Sequence, residues 1–382
     1  MANRNSNSPF TRPPEERVDS YGSLPRRSEL RFKTLGLVDL LLGDALLVNS
    51  RCLRFLALQR GRRAVGAGAV VAAGQRPASA TETVLSDQEM LALRRCVTRL
   101  GSHWRLLRGT AAGSLAKAAL ARVKHIERLI PPGSGTGRAA KELLEQTADP
   151  KRRAALREVM DQWVSSKRVR QVSAIDRDRL LELLEQDAGA WQEAVDQVDA
   201  GESEPILEAL KTSYRRPRRL GRRMDQSQAN DKHLSRLLTL VAQNVAQLEL
   251  LRPGLSEQYA KQLWYLQRLE RNLRRRLDLS AFEQRLFAMD LRSDRLVKVQ
   301  QRAQQAVQAR AGVQAQRTEK LISLAYGLKP KVFLRGIAKD LSAADGKPLI
   351  LSDSHLDTLS AAQAAGETNH LGEITVEEPV QR

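Results

Sequence analysis

Between Tyr214 and Met224 the chain reads Y-R-R-P-R-R-L-G-R-R-M, with six arginines in nine residues. Leu207, Leu210, Tyr214, Pro217, Gly221 and Met224 recur through this stretch at steps of three and four, the spacing that gathers side chains on one face of an α-helix. Such a segment can only be a surface helix. Its apolar seam needs a packing partner, while Arg215, Arg218 and Arg222 run along one flank and Arg216, Arg219 and Arg223 along the other. A basic run can be no more than a solvated face. Six like charges this close repel one another, however, and a counter-anion would offset that cost, which favours a polyanion-binding surface. Pro217 removes one helical hydrogen bond, so the pattern predicts a bend there or a new helix starting close to it.

The charge of the whole chain points the same way. Lysine and arginine number 63 against 44 acidic residues, a formal net charge of +19, and such an excess suits partners that carry phosphate: nucleic acid, inorganic polyphosphate or an anionic membrane surface. The 382 residues are 42% apolar, enough to build two domains or one large one. Cys52 and Cys96 are far apart in sequence and belong to no CxxC or His-rich motif, so neither a disulfide framework nor a zinc site is expected. A reducing cytoplasm is the compartment that fits. The N-terminal residues lack the basic-then-apolar order of a signal peptide, and Leu35–Val48, interrupted by Asp39 and Asp44, is too short to span a bilayer.

Taken in order, the chain divides into a disordered arm over 1–28, a helical N-terminal extension over 29–64, a flexible Gly- and Ala-rich linker over 65–85, two helical halves over 86–200 and 201–330, and a mostly disordered tail over 331–382. The acidic centre of the extension suits anionic lipid poorly, so it is expected to pack against the protein. Ser86 and Glu89 have the spacing of a capping box and open a helix through Leu93, Val97, Leu100 and Trp104. In the segment 114–130, Leu115, Ala119, Val123, Ile126 and Ile130 form an apolar stripe opposite Lys117, Lys124 and Arg128. Residues 231–251 repeat the design with Leu234, Leu237, Leu238, Val241, Val245 and Leu248, and His233, Arg236, Gln243 and Gln247 fall away from the stripe. Both segments stop at Pro-Gly, and each is followed by a long helix with a basic C-terminal half, which hints at an internal repeat. No segment between 86 and 325 has the strand period, so the fold class is all-α. A short last element is expected after Gly327.

The region from about 86 to 290 resembles the conserved histidine α-helical domain (CHAD) family. Ser114–Lys124 matches that family's basic helical motif with Lys117, Arg122 and Lys124 at cationic positions and Ser114 where the histidine stands. His233–Arg236, H-L-S-R, keeps the histidine and the first arginine of the second copy, with Leu237 and Leu240 replacing later cations. Tyr214–Arg216 is similar to the basic stretch that precedes the motif. Ser165–Val172 and Leu273–Leu279 are similar to two further family segments, with Val169 in place of an aspartate and Arg274, Arg275 and Arg276 where the family carries acids. The resemblance implies two pseudo-symmetric antiparallel helical bundles around a basic groove, inorganic polyphosphate as ligand, and association with polyphosphate granules. Members are often fused to a triphosphatase marked by E-x-E-x-K; here E-L-R-F-K at Glu29–Lys33 has Arg31 at the second glutamate.

The residues otherwise speak for binding rather than catalysis. His103, His125 and His233 have no second histidine or cysteine at metal-ligand spacing, and no GxxxxGK[ST], GxSxG or HExxH motif occurs. The expectation is a non-enzymatic protein with no cofactor and no metal. Its polyanion contacts would come from Lys117, Arg122, Lys124, Lys167, Arg168, Arg215, Arg216, Arg218, Arg219, Arg222, Arg223, His233, Arg236, Arg274, Arg275 and Arg276. An RNA- or ribosome-associated helical protein, or a degenerate scaffold for protein partners, would also use these surfaces. A content of 4% Phe, Trp and Tyr argues against readout of single strands by stacking.

Overall fold

A computed structural model of the chain describes residues 36–66, 82–85, 87–130, 135–166, 174–199, 201–224, 229–289 and 294–344. Among the described residues the protein is all-α apart from one short ribbon. The helices are α1 (Leu37–Gly66), α2 (Asp87–Leu106), α3 (Gly113–Leu129), α4 (Thr136–Gln146), α5 (Pro150–Ser166), α6 (Arg177–Gln197), α7 (Ser203–Arg223), α8 (Asp231–Leu251), α9 (Glu257–Phe287), α10 (Asp294–Ala325) and α11 (Pro330–Ala344). The ribbon pairs β1 (Glu82–Val84) antiparallel with β2 (Ala174–Asp176), Thr83 opposite Ile175. Three-residue strands are too short to show a period of their own, so neither stands out in the sequence, and β1 lies within the expected linker. The expected arm at 1–28 lies outside the described residues.

The extension is a core element. α1 is apolar around nearly its whole circumference, and a helix of that kind belongs inside the protein. Val38, Leu41, Val48, Cys52 and Leu56 are buried, and α1 packs on α2 and α6. Asp44, which interrupts the apolar run, is also buried. It accepts hydrogen bonds from Arg99 Nε at 2.8 Å and Nη2 at 2.6 Å and lies 2.6 Å from His103 Nε2. Burial alone would raise the Asp44 pKa; Arg99 and His103 outweigh it and hold the carboxyl below its usual range. For His103 burial wins over the carboxylate and lowers the pKa. The ring is therefore neutral and donates Nε2–H to Asp44. Nδ1 is buried without a hydrogen-bond partner, and a proton placed there would be stranded.

Buried apolar residues form two clusters, and they divide the chain differently from the predicted halves at residue 200. The larger takes in α1, α2, α3, α6, α7, α8, the first half of α9, the end of α10 and α11. The smaller joins α4 and α5 to the second half of α9 and the first half of α10. Ala139, Leu143 and Leu156 thus meet Leu279, Phe282, Ala303 and Val307 across the expected boundary. α9 and α10 pack along each other and connect the two clusters. A polar seam between them, Asn272 Nδ2 to Thr318 Oγ1 at 2.7 Å and to the Gln314 carbonyl at 3.1 Å, fixes their register.

α7 buries the expected seam, Leu210, Tyr214, Pro217 and Gly221. It runs unbroken through Pro217, so no new helix starts there as one of the two expectations had it. The ring sits on the buried side, and the seam is held on both sides of it: Tyr214 stacks on Phe333 at 3.9 Å, and a Cβ on Gly221 would come within 3.1 Å of Ile322. The small residue lets α7 approach α10 closely there, and a side chain at this position would press on Ile322. The short element expected after Gly327 is α11; it runs on to Ala344, into residues assigned to the tail, with Phe333 and Ile337 fully buried, and it packs on α7. α8 differs from expectation too. It is surrounded by α2, α7 and α9, and its supposedly outward Gln243 and Gln247 are buried, Gln247 with the Ser102 carbonyl 3.4 Å away.

His103 has a lower pKa folded than unfolded. Its stabilising contribution is fully present above about pH 6.5, the unfolded value, and is lost as pH falls through that value towards the folded one. The wild type will therefore lose more unfolding free energy between pH 7 and 5 than His103→Gln, which keeps a donor for Asp44. Urea denaturation of both proteins across that range checks this, since other titrating groups are common to the pair.

Candidate polyanion-binding surface

The six arginines of α7 separate into different roles. Arg218 Nε donates to the Tyr326 carbonyl at 3.1 Å and Arg222 Nη2 to the same oxygen at 3.3 Å, so these two close the C-terminal end of α10, where cations complement the helix dipole. Arg215, Arg216, Arg219 and Arg223 are exposed. The arginines after Leu273 diverge in the same way, as successive residues on a helix must at about 100° apart. Arg274 pairs with Glu270 at 2.8 Å, Arg275 with Glu142 at 3.3 Å, and Arg276 turns into the α9–α10 seam with Nη1 3.2 Å from Thr318 Oγ1. Arg122 reaches across to α6, donating to the Gln186 carbonyl at 2.7 Å and approaching Asp187 at 3.6 Å. Lys117 and Lys124 stand on the outer face of α3. His233 and Arg236 are exposed in the first turns of α8, where the His233 backbone N–H donates to the Asn230 side chain. Lys167 and Arg168 lie outside the described residues.

Where cations do gather, they come mostly from helices that the arginine run did not single out. α2 carries Arg94, Thr98 and Arg105, all half-buried, at steps of four and seven, and the short turn after it, Leu107–Gly109, adds the exposed Arg108. α9 carries Arg268, Arg271 and Arg275 at steps of three and four. Both helices pack on α8. Arg94 feels Arg274, Arg271 feels Arg95 together with Arg268 and Arg275, and Arg105 feels Arg216 and Arg108. At the other end Arg310 of α10 feels Arg275 and Arg317. In each of Arg94, Arg105, Arg271 and Arg310 partial burial is the main cause of a lowered guanidinium pKa; neighbouring arginines add to it, and at Arg94 and Arg105 Glu127 pulls the other way more strongly than any one of them pushes. Glu270 and Glu142 likewise offset part of the repulsion at Arg271 and Arg310.

Parts of the band serve the fold. Arg94 Nη1 donates to the Ile130 carbonyl at the end of α3, 3.2 Å away, and Arg105 Nη1 to its own helix at Gly101, 2.7 Å away. Arg95, Arg108, Arg271 and Arg317 are exposed. Beyond Arg275 the band runs into a small pocket between α4, α9 and α10, lined by Arg138, Glu142, Asp278, Arg310 and Gln314. No cluster of His, Cys, Asp and Glu that could hold a metal ion occurs among the described residues, nor any helix long and apolar enough to cross a membrane. Cys52 and Cys96, distant in sequence, are free, buried and within hydrogen-bonding reach of each other across α1 and α2.

The division of labour in α7 is measurable. Replacing Arg218 and Arg222 together by alanine should cost about 1–2 kcal/mol in chemical denaturation. The Arg215→Ala, Arg219→Ala pair should stay within about 0.5 kcal/mol of the wild type. Compared with known proteins, the chain matches no protein-family model, no curated protein and no solved structure.

Proposed function

We propose that this protein acts by binding a phosphate-rich polyanion, without catalysis, and that the arginine band across α2, α7, α9 and α10 is its binding surface. The observation that carries the reading is the meeting of like charge. Arginines from four helices come together so that Arg94, Arg105, Arg271 and Arg310 each feel a neighbouring guanidinium, and Glu127, Glu270 and Glu142 offset part of that repulsion. A chain of phosphates laid along the band would relieve it, and each phosphate neutralised would release condensed counterions. Arginine rather than lysine fills the band, and its planar fork takes two phosphate oxygens at once.

Inorganic polyphosphate is the leading ligand. It is the chain of this charge density that needs nothing beyond phosphate contacts, and the likeness of Ser114–Lys124 and His233–Arg236 to CHAD motifs supports the same choice. Polyphosphate granules are then the place where the protein would be found. The proposed surface differs from the groove first expected, because it draws on Arg94, Arg95, Arg268, Arg271, Arg310 and Arg317 in place of Arg122, Arg218, Arg222 and Arg276.

Titration with long-chain polyphosphate at several salt concentrations tests this. The Arg95→Glu, Arg271→Glu double variant should bind at least about tenfold more weakly and show a shallower salt dependence. Arg54→Glu, an exposed position on α1, should bind as the wild type does. Equal affinity of the double variant and the wild type would remove the band from the site.

A further inference from the structure

One residue on the arginine face has no use for phosphate. Trp264 lies on α9 one turn before Arg268, on the stripe that continues through Arg271 and Arg275. Trp104 and Trp191 are fully buried and stack on each other, whereas Trp264 is 40% exposed. The Arg268 guanidinium carbon sits 4.0 Å from the Trp264 ring centroid, and Tyr265 meets the ring edge-on at 5.0 Å. A large aromatic surface left in water contributes little to the fold. Beside a row of guanidinium groups it forms the combination that grips single strands, a π-face for a base next to cations for the backbone.

We infer that the arginine face also takes single-stranded nucleic acid, with the sugar-phosphate backbone along Arg268, Arg271 and Arg95 and one unpaired base stacked on Trp264. This rests on the polyanion reading of the band and adds a ligand class to it. The base would slide between the indole and the Arg268 guanidinium or take the opposite face of the ring. A duplex keeps its bases paired and stacked inside, so it would meet the arginines and leave Trp264 unused. The low aromatic content of the chain argues against a platform of several stacked bases, and a single ring is enough when the backbone supplies most of the affinity.

The experiment compares the full-length wild type, Trp264→Ala and Trp264→Phe for binding of oligo(A) RNA of about 12 nucleotides, an RNA duplex and long-chain polyphosphate at near-physiological salt. Trp264→Ala should weaken oligo(A) binding on the order of tenfold, leave polyphosphate and duplex binding within about twofold, and be largely rescued by Trp264→Phe. Oligo(A) affinity unchanged in Trp264→Ala, or an equal loss for oligo(A) and polyphosphate, overturns the inference. Wild type that binds polyphosphate and not oligo(A) overturns it while the polyanion reading stands; wild type that binds neither overturns both.

Discussion

The Asp187 carboxylate is buried on α6 and collects donors from the helices around it. Asn49 of α1 donates at 3.2 Å, Trp104 of α2 at 3.0 Å and Trp191 of its own helix at 2.9 Å, while Arg122 of α3 approaches to 3.6 Å. Burial pushes its pKa up to about 6, with Arg122 and the three hydrogen bonds pulling against it. A charge in such a place is tolerated only when its lone pairs are satisfied, so these helices must meet in one arrangement. The two indoles that serve it stack at 3.5 Å. Asp44 does the same for α1 and α2 through Arg99 and His103.

That arrangement decides where the positive charge goes. Two buried carboxylates grip α2 at Arg99, His103 and Trp104, and at about 100° per residue the opposite side of the helix carries Arg94 and Arg105. Pinning one face of α2 inside therefore turns a row of arginines outward. α8 then spaces α2 from α9 so that Arg95 and Arg271 come within reach of each other. The core and the candidate site are in this sense one construction. The densest arginine run, on α7, contributes less than its composition promised, since its rotation places Arg218 and Arg222 on the end of α10.

Much of the fold was legible in the pattern of residues. Period 3.6 located α3, α7 and α8, and the buried sets Ala119, Val123 and Ile126, or Leu234, Leu237 and Val241, are those read from spacing. Phe333, Ile337 and Leu341 stand four apart and mark α11, whose start after Gly327 was expected and whose extension to Ala344 was read as tail because of the polar residues around them. What a single sequence could not supply was which helices meet. Buried polar residues carry no periodic signal, so Gln243 and Gln247 read as surface, and Arg276 read as ligand because its two neighbours are also arginine. Arg94, Arg95, Arg271 and Arg310 went unnoticed for the converse reason: each is unremarkable in its own helix and becomes part of a band only through tertiary packing.

The central claim is the location of the polyanion surface, and residue-by-residue protection of arginines tests it most directly. Phenylglyoxal labelling of the full-length protein, mapped by mass spectrometry with and without saturating polyphosphate, reports which guanidinium groups the ligand covers. The account predicts protection at Arg95, Arg108, Arg271 and Arg317, with Arg54 of α1 and Arg179 of α6 labelled equally in both states. Protection spread evenly over all exposed arginines, or absent from Arg95 and Arg271, would contradict it.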